Sequence, residues 1–391
     1  MSTHLAPPSG GPDAGTPIAV PVSLDVSAIP ARMGGVGRYV RGLLEGLAPR
    51  DDCRLTLFTS NGDASRWLDA NPHVRIRDRA PRARPQRLLW EQLQLPRELR
   101  QTGAAAHHGP HYTMPRFSRI PRVVTIHDMT FITHPQWHES SKRLFFQQAI
   151  RLACREADVL ICVSNTTAEK LRDYREPRGQ VIVAPHGVDG AVFSPVSSGP
   201  PDQAVLTRLE IPHRYVLFLG TVEPRKNVPG LVRAFDQVAE KHRDVSLVIG
   251  GGSGWGEAEL DAARQQSRHP SRIRRLGYVA DADVPSLLRN ASSVVYPSLA
   301  EGFGLPVLEA LACGAPTITT HGTAMDEASG GAARLVRPGD IEELAGAIDE
   351  TLETGVSDEQ RQLGFDAVSR HTWAASADKH VQAYRLAASM R

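Results

Sequence analysis

The sequence predicts an α/β protein built of two Rossmann-like, doubly wound domains that face each other across a cleft. Three observations predict it. Short apolar runs alternate with helical patterns along most of the chain, which is the pattern of parallel sheets covered on both faces. A stretch dense in Pro, Gly and Ser, residues 185–212, interrupts that alternation near mid-chain, as a domain junction would. The length of 391 residues, 41% of them hydrophobic and 23% charged, suffices for two cores.

Residues 1–17 are rich in Pro, Gly, Ser and Thr and hold no apolar core, so they read as a disordered tail and not as a signal peptide. The first domain, 18–190, has strand patterns at 18–26, 54–59, 122–127, 159–163 and 181–184. Helical patterns at 36–47, 87–100, 140–157 and 166–174 lie between them. After the junction the second domain, 195–371, restarts with strands at 215–219, 246–250, 272–276, 293–296, 316–319 and 333–336. Its helices fall at 228–241, 284–289, 305–312 and 341–351. A final helical segment, 373–388 within 372–391, could pack on either domain.

Bulk properties exclude several classes. Lys and Arg number 45 against 43 Asp and Glu, which gives no global argument for nucleic acid as a partner. No run reaches the roughly 18 apolar residues that a spanning helix needs. The four cysteines form no C-x-x-C pair and read as buried reduced thiols, which fits a cytoplasmic protein.

In open α/β sheets ligands bind beyond the carboxyl ends of the strands, so the residues after each strand carry the functional reading. Gly34-Gly35-Val36-Gly37-Arg38-Tyr39 follows the first strand and opens a helix. Glycines there let backbone approach a phosphate or sugar, although a plain tight turn gives the same pattern. His127-Asp128 ends the strand V-V-T-I, where catalytic groups sit; a His and Asp that merely cap the loop are the alternative. His107, His108, His111 and His134 lie nearby without any metal-ligand spacing, so no metal site is predicted. Glu223-Pro224-Arg225-Lys226-Asn227 places two cations after a strand, with Asn227 as candidate N-cap. Such a pair suits a diphosphate and can offset leaving-group charge without a metal; an exposed basic turn is the bland reading.

The longest motif is Glu301-Gly302-Phe303-Gly304-Leu305-Pro306-Val307-Leu308-Glu309. Gly302 and Gly304 allow a turn, Pro306 suits a first helical turn, and the loop amides make an anion cradle at a helix start. Glu301 and Glu309 flank that cradle and can accept hydrogen bonds from hydroxyls, so a phosphate between two polyols, a nucleotide sugar, fits it.

These blocks together resemble the family-4 retaining glycosyltransferases of GT-B fold. E-G-F-G-L-P-V-L-E, G-T-V-E-P-R-K-N, V-T-I-H-D, P-H-G-V-D and M-G-G-V-G-R-Y stand in that family's order, and the resemblance runs from about residue 18 to about 388. It implies that Glu309 holds the ribose, and Arg225 and Lys226 the diphosphate. It implies that Glu301, with the amides of Phe303, Gly304 and Leu305, holds the donor sugar and phosphate. Val279, in Gly277-Tyr278-Val279, would contact the base, His127 the donor sugar, and Gly34 and Gly35 the phosphate. The final helix would cross back to the first domain. No cofactor or metal is implied.

Within the resemblance, bacterial mannosyl and rhamnosyl transferases of surface-polysaccharide assembly look most similar. The favoured donor is GDP-mannose, with UDP-glucose or another UDP-hexose second, and the acceptor is a glycan or glycolipid. Competing readings are a glycoside hydrolase, a nicotinamide oxidoreductase (for which Gly250–Gly256 has the wrong spacing), a GT-B sugar-nucleotide epimerase and a non-catalytic nucleotide-sugar binder. Residues 79–100 combine Arg82, Arg84, Arg87, Arg97 and Arg100 with Leu88, Leu89, Trp90, Leu93 and Leu95; this reads as a basic amphipathic helix that lies on the inner face of the cell membrane, or as a core helix with a basic edge.

Overall fold

The computed structural model describes residues 19–30, 34–196 and 202–390. The predicted tail, 1–17, lies outside the described residues. The first sheet holds seven strands: β1 (Val20–Asp25), β2 (Cys53–Ser60), β3 (Arg75–Ala80), β4 (Ala106–Gly109), β5 (Arg122–Ile126), β6 (Val159–Cys162) and β7 (Gln180–Val183). All its pairings are parallel, in the order β3-β2-β1-β4-β5-β6-β7. The second holds six: β8 (Arg214–Leu219), β9 (Val245–Gly250), β10 (Ile273–Gly277), β11 (Ser293–Tyr296), β12 (Thr317–Thr320) and β13 (Arg334–Val336). They too are parallel, in the order β10-β9-β8-β11-β12-β13. In both sheets the winding reverses beside the first strand, between β1 and β4 and between β8 and β11. That is the switch point where doubly wound sheets open a crevice.

Two strands of the first sheet escape the sequence pattern. β3 reads R-I-R-D-R-A, an edge strand whose charged side chains keep it from templating another chain. β4 reads A-H-H-G, a central strand in which both histidines are fully buried. The helix expected at 87–100 is two helices, Arg84–Leu93 and Leu95–Thr102, because Pro96 cannot donate to the turn before it. Within the junction lies a helix, Asp202–Arg208, whose Asp202 carboxylate is clamped by Arg289 at 2.6 Å. Helices Glu257–Gln266, Ala324–Ser329 and Asp358–Arg370 also lie outside the expected set.

The last helix, Trp373–Ala388, packs on the first sheet. Its Ala377, Val381 and Tyr384 share one apolar core with Val22, Leu24, Leu43 and Val159. Contact with the helix Gly35–Leu47 is close enough to require glycine: a Cβ on Gly42 would lie 2.0 Å from the Trp373 ring, and one on Gly46 2.3 Å from the Trp373 carbonyl. The chain therefore crosses between domains twice. The crossings run side by side, tied by the Val188 N–H donating to the His371 carbonyl at 2.9 Å.

Candidate active site

The loops after β8 and β11 meet at the second sheet's switch point. After β8 the chain forms a 3-10 turn, Pro224–Lys226, ended by Asn227 at φ +51°, a left-handed conformation that Asn tolerates. Asn227 stands in the N-cap position of the helix Val228–Ala239, but its side chain makes no cap hydrogen bond. The turn aims both cations across the switch point. The Arg225 guanidinium donates to Glu223 Oε2 at 2.7 Å and makes a short bond to Glu301, while Lys226 Nζ lies 3.8 Å from Glu301. The Leu299 N–H donates to the Arg225 carbonyl at 2.7 Å, so the two loops are stitched by backbone. Burial opposes the Arg225 charge, yet Glu301, Glu223 and Asp128 outweigh it and hold its pKa above the ordinary value.

Past Glu301 the chain must pass the first domain at van der Waals range. A Cβ on Gly302 would lie 1.7 Å from the His127 carbonyl of the first domain, and one on Gly304 2.8 Å from Ala328 Cβ within the second domain. The Gly302 carbonyl accepts from Ser164 Oγ at 2.7 Å and Thr167 Oγ1 at 3.0 Å, both first-domain hydroxyls. The helix Leu305–Ala312 then starts, with Pro306 in its first turn, and places Phe303, Gly304 and Leu305 at its N-terminus. The Phe303 ring turns away from this cradle and meets His186 edge-on at 4.8 Å. Glu309 is buried, and burial pushes its carboxyl up to about 7 even though Arg38 opposes the shift.

From the first domain, Gly34 and Gly35 open the helix Gly35–Leu47, and a Cβ on either would meet nothing within 4 Å. No packing demands glycine there, so these positions leave open space at a helix start. One turn on, Arg38 crosses the cleft, 2.8 Å from Asp281 and 3.3 Å from Glu309. His127 follows β5 directly and donates from Nε2 to the Pro110 carbonyl at 2.7 Å, which leaves the lone pair of a neutral ring on Nδ1. Burial lowers its pKa, opposed in part by Pro110 and Asp128. Asp128 accepts from the Thr130 N–H at 2.9 Å and Thr130 Oγ1 at 2.7 Å, so it does cap the loop. A cavity of about 230 Å³ between the domains is lined by His111, Tyr112, His127 and Asp128 on one side and Glu223, Arg225 and Trp255 on the other.

Beneath His127 runs a buried hydrogen-bond chain whose direction is fixed by its end. His380 Nδ1 can only donate to the Ser376 carbonyl (2.7 Å), so Nε2 accepts from the Tyr39 hydroxyl (2.8 Å). Tyr39 then accepts from Thr125 (2.9 Å), Thr125 from His108 Nε2 (2.8 Å), and His108 Nδ1 from the Tyr384 hydroxyl (2.9 Å). One chain thus links the final helix, β4, β5 and the helix that carries Gly35. His107, His108, His111, His186 and His380 all have pKa values lowered first by burial.

The structure therefore brings Arg225, Lys226 and Glu301 together, and sets Arg225 and His127 on one cavity. Glu309 joins a different group, with Arg38 and Asp281. The Val279 side chain lies in the second domain's core, and the adjoining Tyr278 is exposed. Arg38, Tyr112, His186 and Trp255 were not foreseen. Arg38 carried a signal, its place one turn past the glycines; Tyr112, at φ +62°, carried none. Among the described residues the one group of side chains within a single metal ion's reach is His242, Asp349 and Glu353, where Lys241 already bridges both carboxylates. No described helix is long and apolar enough to cross a membrane.

Two facing α/β domains with an anion cradle and paired cations at the switch point define a GT-B glycosyltransferase. A model described as "Glycosyltransferase Family 4" matches residues 33–192, and one described as "Glycosyl transferases group 1" matches 213–354, so that together they span most of the chain. The chain belongs to the family-4 glycosyltransferases, which sets aside the hydrolase and oxidoreductase readings. It is 28% identical over 378 residues to the O-antigen chain mannosyltransferase B of Escherichia coli, covering 90% of this chain and 96% of that one. It is 25% identical over 339 residues to a glycogen synthase of Mycobacterium tuberculosis, covering 84% and 78%. Similar folds include sucrose-phosphate synthase from Thermosynechococcus elongatus (TM-score 0.74, 23% identity, 94% and 98% covered). Anabaena Alr3699/HepE in complex with UDP-glucose is another (TM-score 0.71, 20% identity, 93% and 98% covered).

Proposed function

We propose that this glycosyltransferase moves mannose from GDP-mannose to a glycan or glycolipid acceptor with retention of anomeric configuration. The observation that carries the reading is the pairing of Arg225 and Lys226 with Glu301, just before the helix start at Leu305, at one switch point. In the bound donor, the two cations would exchange their carboxylate partners for the diphosphate. Negative charge grows on that diphosphate as the glycosidic bond breaks, and preorganised cations act most strongly there. Glu309 would accept from the ribose hydroxyls. His127 Nδ1, an acceptor in the neutral ring, suits a donor-sugar hydroxyl, and the open space at Gly34 and Gly35 suits a phosphate. The mannosyl assignment is supported by the E. coli relative, which spans nearly the same length. A UDP-hexose is the second reading, favoured by the likeness to a fold solved with UDP-glucose.

The test is a panel of GDP- and UDP-sugars with product linkage determined by NMR. Turnover of GDP-mannose to a product with the donor's anomeric configuration is expected. Turnover of a UDP-hexose alone would replace the donor, an inverted product would remove retention, and conversion without any acceptor would favour the epimerase. Because Arg225 and Lys226 hold the diphosphate's place, activity is expected to survive chelator. Complete loss with chelator, restored by Mg²⁺ or Mn²⁺, would contradict that.

A further inference from the structure

Beside the cleft the first domain holds a larger cavity, about 400 Å³, between the helix Arg84–Leu93, the loop 112–116 and the helix Ser140–Glu156. Tyr112 lines both this cavity and the one between the domains, so the two adjoin. Its walls are apolar, with Leu88, Met114, Phe145 and Leu152. Polar side chains make up the rest of the lining, and some of them are held in place. Gln92 donates to the Met114 carbonyl at 3.1 Å and accepts from the Arg116 N–H at 2.9 Å, which pins the loop to the helix. Glu91 is buried beside it. Apolar side chains beside fixed polar groups are the make-up of small-molecule sites of this size.

The lining and its surroundings are also amphipathic and basic. Arg116, Arg151 and Arg155 line the cavity. Glu156 takes up part of that charge, 3.2 Å from Arg116 and 3.7 Å from Arg155, while Arg151 makes no ion pair among the described residues. The same two helices, and Phe117 just past the loop, leave large apolar side chains in water: Leu89 at 61% exposure, Leu93 at 51%, Leu144 at 60% and Phe117 at 67%. Residues 79–100 therefore do not present one continuous apolar face. Trp90 and Leu95 are buried, while Leu89 and Leu93 stay exposed on the helix whose Leu88 and Gln92 line the cavity. Burial, reinforced by Asp25, pushes Glu91 up to about 8, so at neutral pH it is an uncharged acid that does not repel an anion.

We propose that this cavity holds the non-reacting part of the acceptor, and that the acceptor is an anionic amphiphile in which a phosphate ester adjoins an apolar chain. The arginines meet the phosphate, Leu88, Met114, Phe145 and Leu152 meet the chain, and the adjoining Tyr112 leads the acceptor hydroxyl to the cleft. The role as acceptor site rests on the transferase reading above; the chemistry of the ligand rests on the lining alone.

Calorimetry on the full chain tests it with three probes: dodecyl phosphate below its micelle concentration, inorganic phosphate, and dodecyl maltoside. Dodecyl phosphate is expected to bind at least about tenfold more tightly than either of the others, since charge and chain each contribute. The surface variant Arg151→Glu/Arg155→Glu should weaken it by about tenfold or more. Gln148→Trp, at an exposed lining position, should block it by bulk while nucleoside diphosphate binding stays unchanged. Equal binding of inorganic phosphate, equal binding of the maltoside, or indifference to both variants would each overturn the site. A chain that binds dodecyl phosphate but no nucleoside diphosphate would overturn the transferase reading and leave the amphiphile site standing. One that binds nucleotide but no amphiphile would do the reverse.

Discussion

On the second domain's side of the cleft the candidate residues are charged, and arrive on short loops or a helix start after a strand. On the first domain's side Gly34, Gly35 and His127 are neutral, and His127 rests on a bed of buried histidines that reaches into the final helix. The difference follows from what each side has to meet. A diphosphate needs fixed charge, so Arg225 and Lys226 sit ready beside Glu301 and Glu223, which offset them until an anion arrives. A sugar hydroxyl needs a lone pair at a known place, and a neutral, oriented His127 supplies one only if its surroundings keep protons out. The Tyr384–His108–Thr125–Tyr39–His380 chain leaves no free valence for a second proton on His108 or His380.

That contrast predicts acid sensitivity located in the first domain. Burial holds His107 and His111 down to about 3 and His380 to about 4, against 6.5 for the free side chain. The unfolded chain takes up these protons first. Stability is therefore complete above about pH 6.5 and falls as pH drops toward the folded values. At pH 5 each such histidine costs roughly 2 kcal/mol, a large share of the ~5–15 kcal/mol a domain has. Thermal melts at pH 7.5 and pH 5 should show a first-domain transition that falls steeply while the second domain's moves little; parallel shifts would break the contrast.

The next effect sharpens the second domain's side. Glu309, pushed up to about 7 by burial, accepts ribose hydroxyls better when ionised, so nucleoside diphosphate binding should strengthen from about pH 6 to about pH 8. Glu309→Ala should weaken it by about 1.5–3 kcal/mol, and Glu309→Gln should flatten the pH dependence. Calorimetry with free nucleotide measures both, and unchanged affinity in a folded variant would remove Glu309 from the site. A smaller effect is expected at Arg38, which competes for Glu309 and is partly exposed. Arg38→Gln should tighten nucleotide binding a few-fold, in keeping with an ion pair worth about 0.5–1 kcal/mol. Weaker binding would instead make Arg38 a direct ligand of the donor.

Legibility in the sequence differs in the same way. Both sheets were readable because parallel strands are buried on two faces and show as apolar runs, as in V-V-T-I and S-V-V-Y. β4 was missed because its buried side chains are histidines, whose burial only the hydrogen bonds of Tyr384, Thr125 and Ser23 explain. β3 was missed because an edge strand can be charged. Arg225, Lys226, Glu301 and Glu309 were readable as local motifs with spacing. Tyr112, His186 and Trp255 depend on two domains meeting, and no spacing within one segment encodes that; the place of Arg38 one turn past the glycines was legible, its partners Asp281 and Glu309 were not.

The central claim, that the second domain meets growing charge on a leaving diphosphate, is tested most directly by steady-state kinetics on Arg225→Ala, Lys226→Ala and the double variant. Folding is checked by circular dichroism, because loss of Arg225 leaves Glu301 and Glu223 facing each other. The account predicts a loss of about a hundredfold or more in turnover for each single variant, larger than the change in KM. The double variant should lose less than the product of the two, since both cations act on one group. Near-normal turnover in a folded double variant would contradict both the diphosphate assignment and the transfer mechanism built on it.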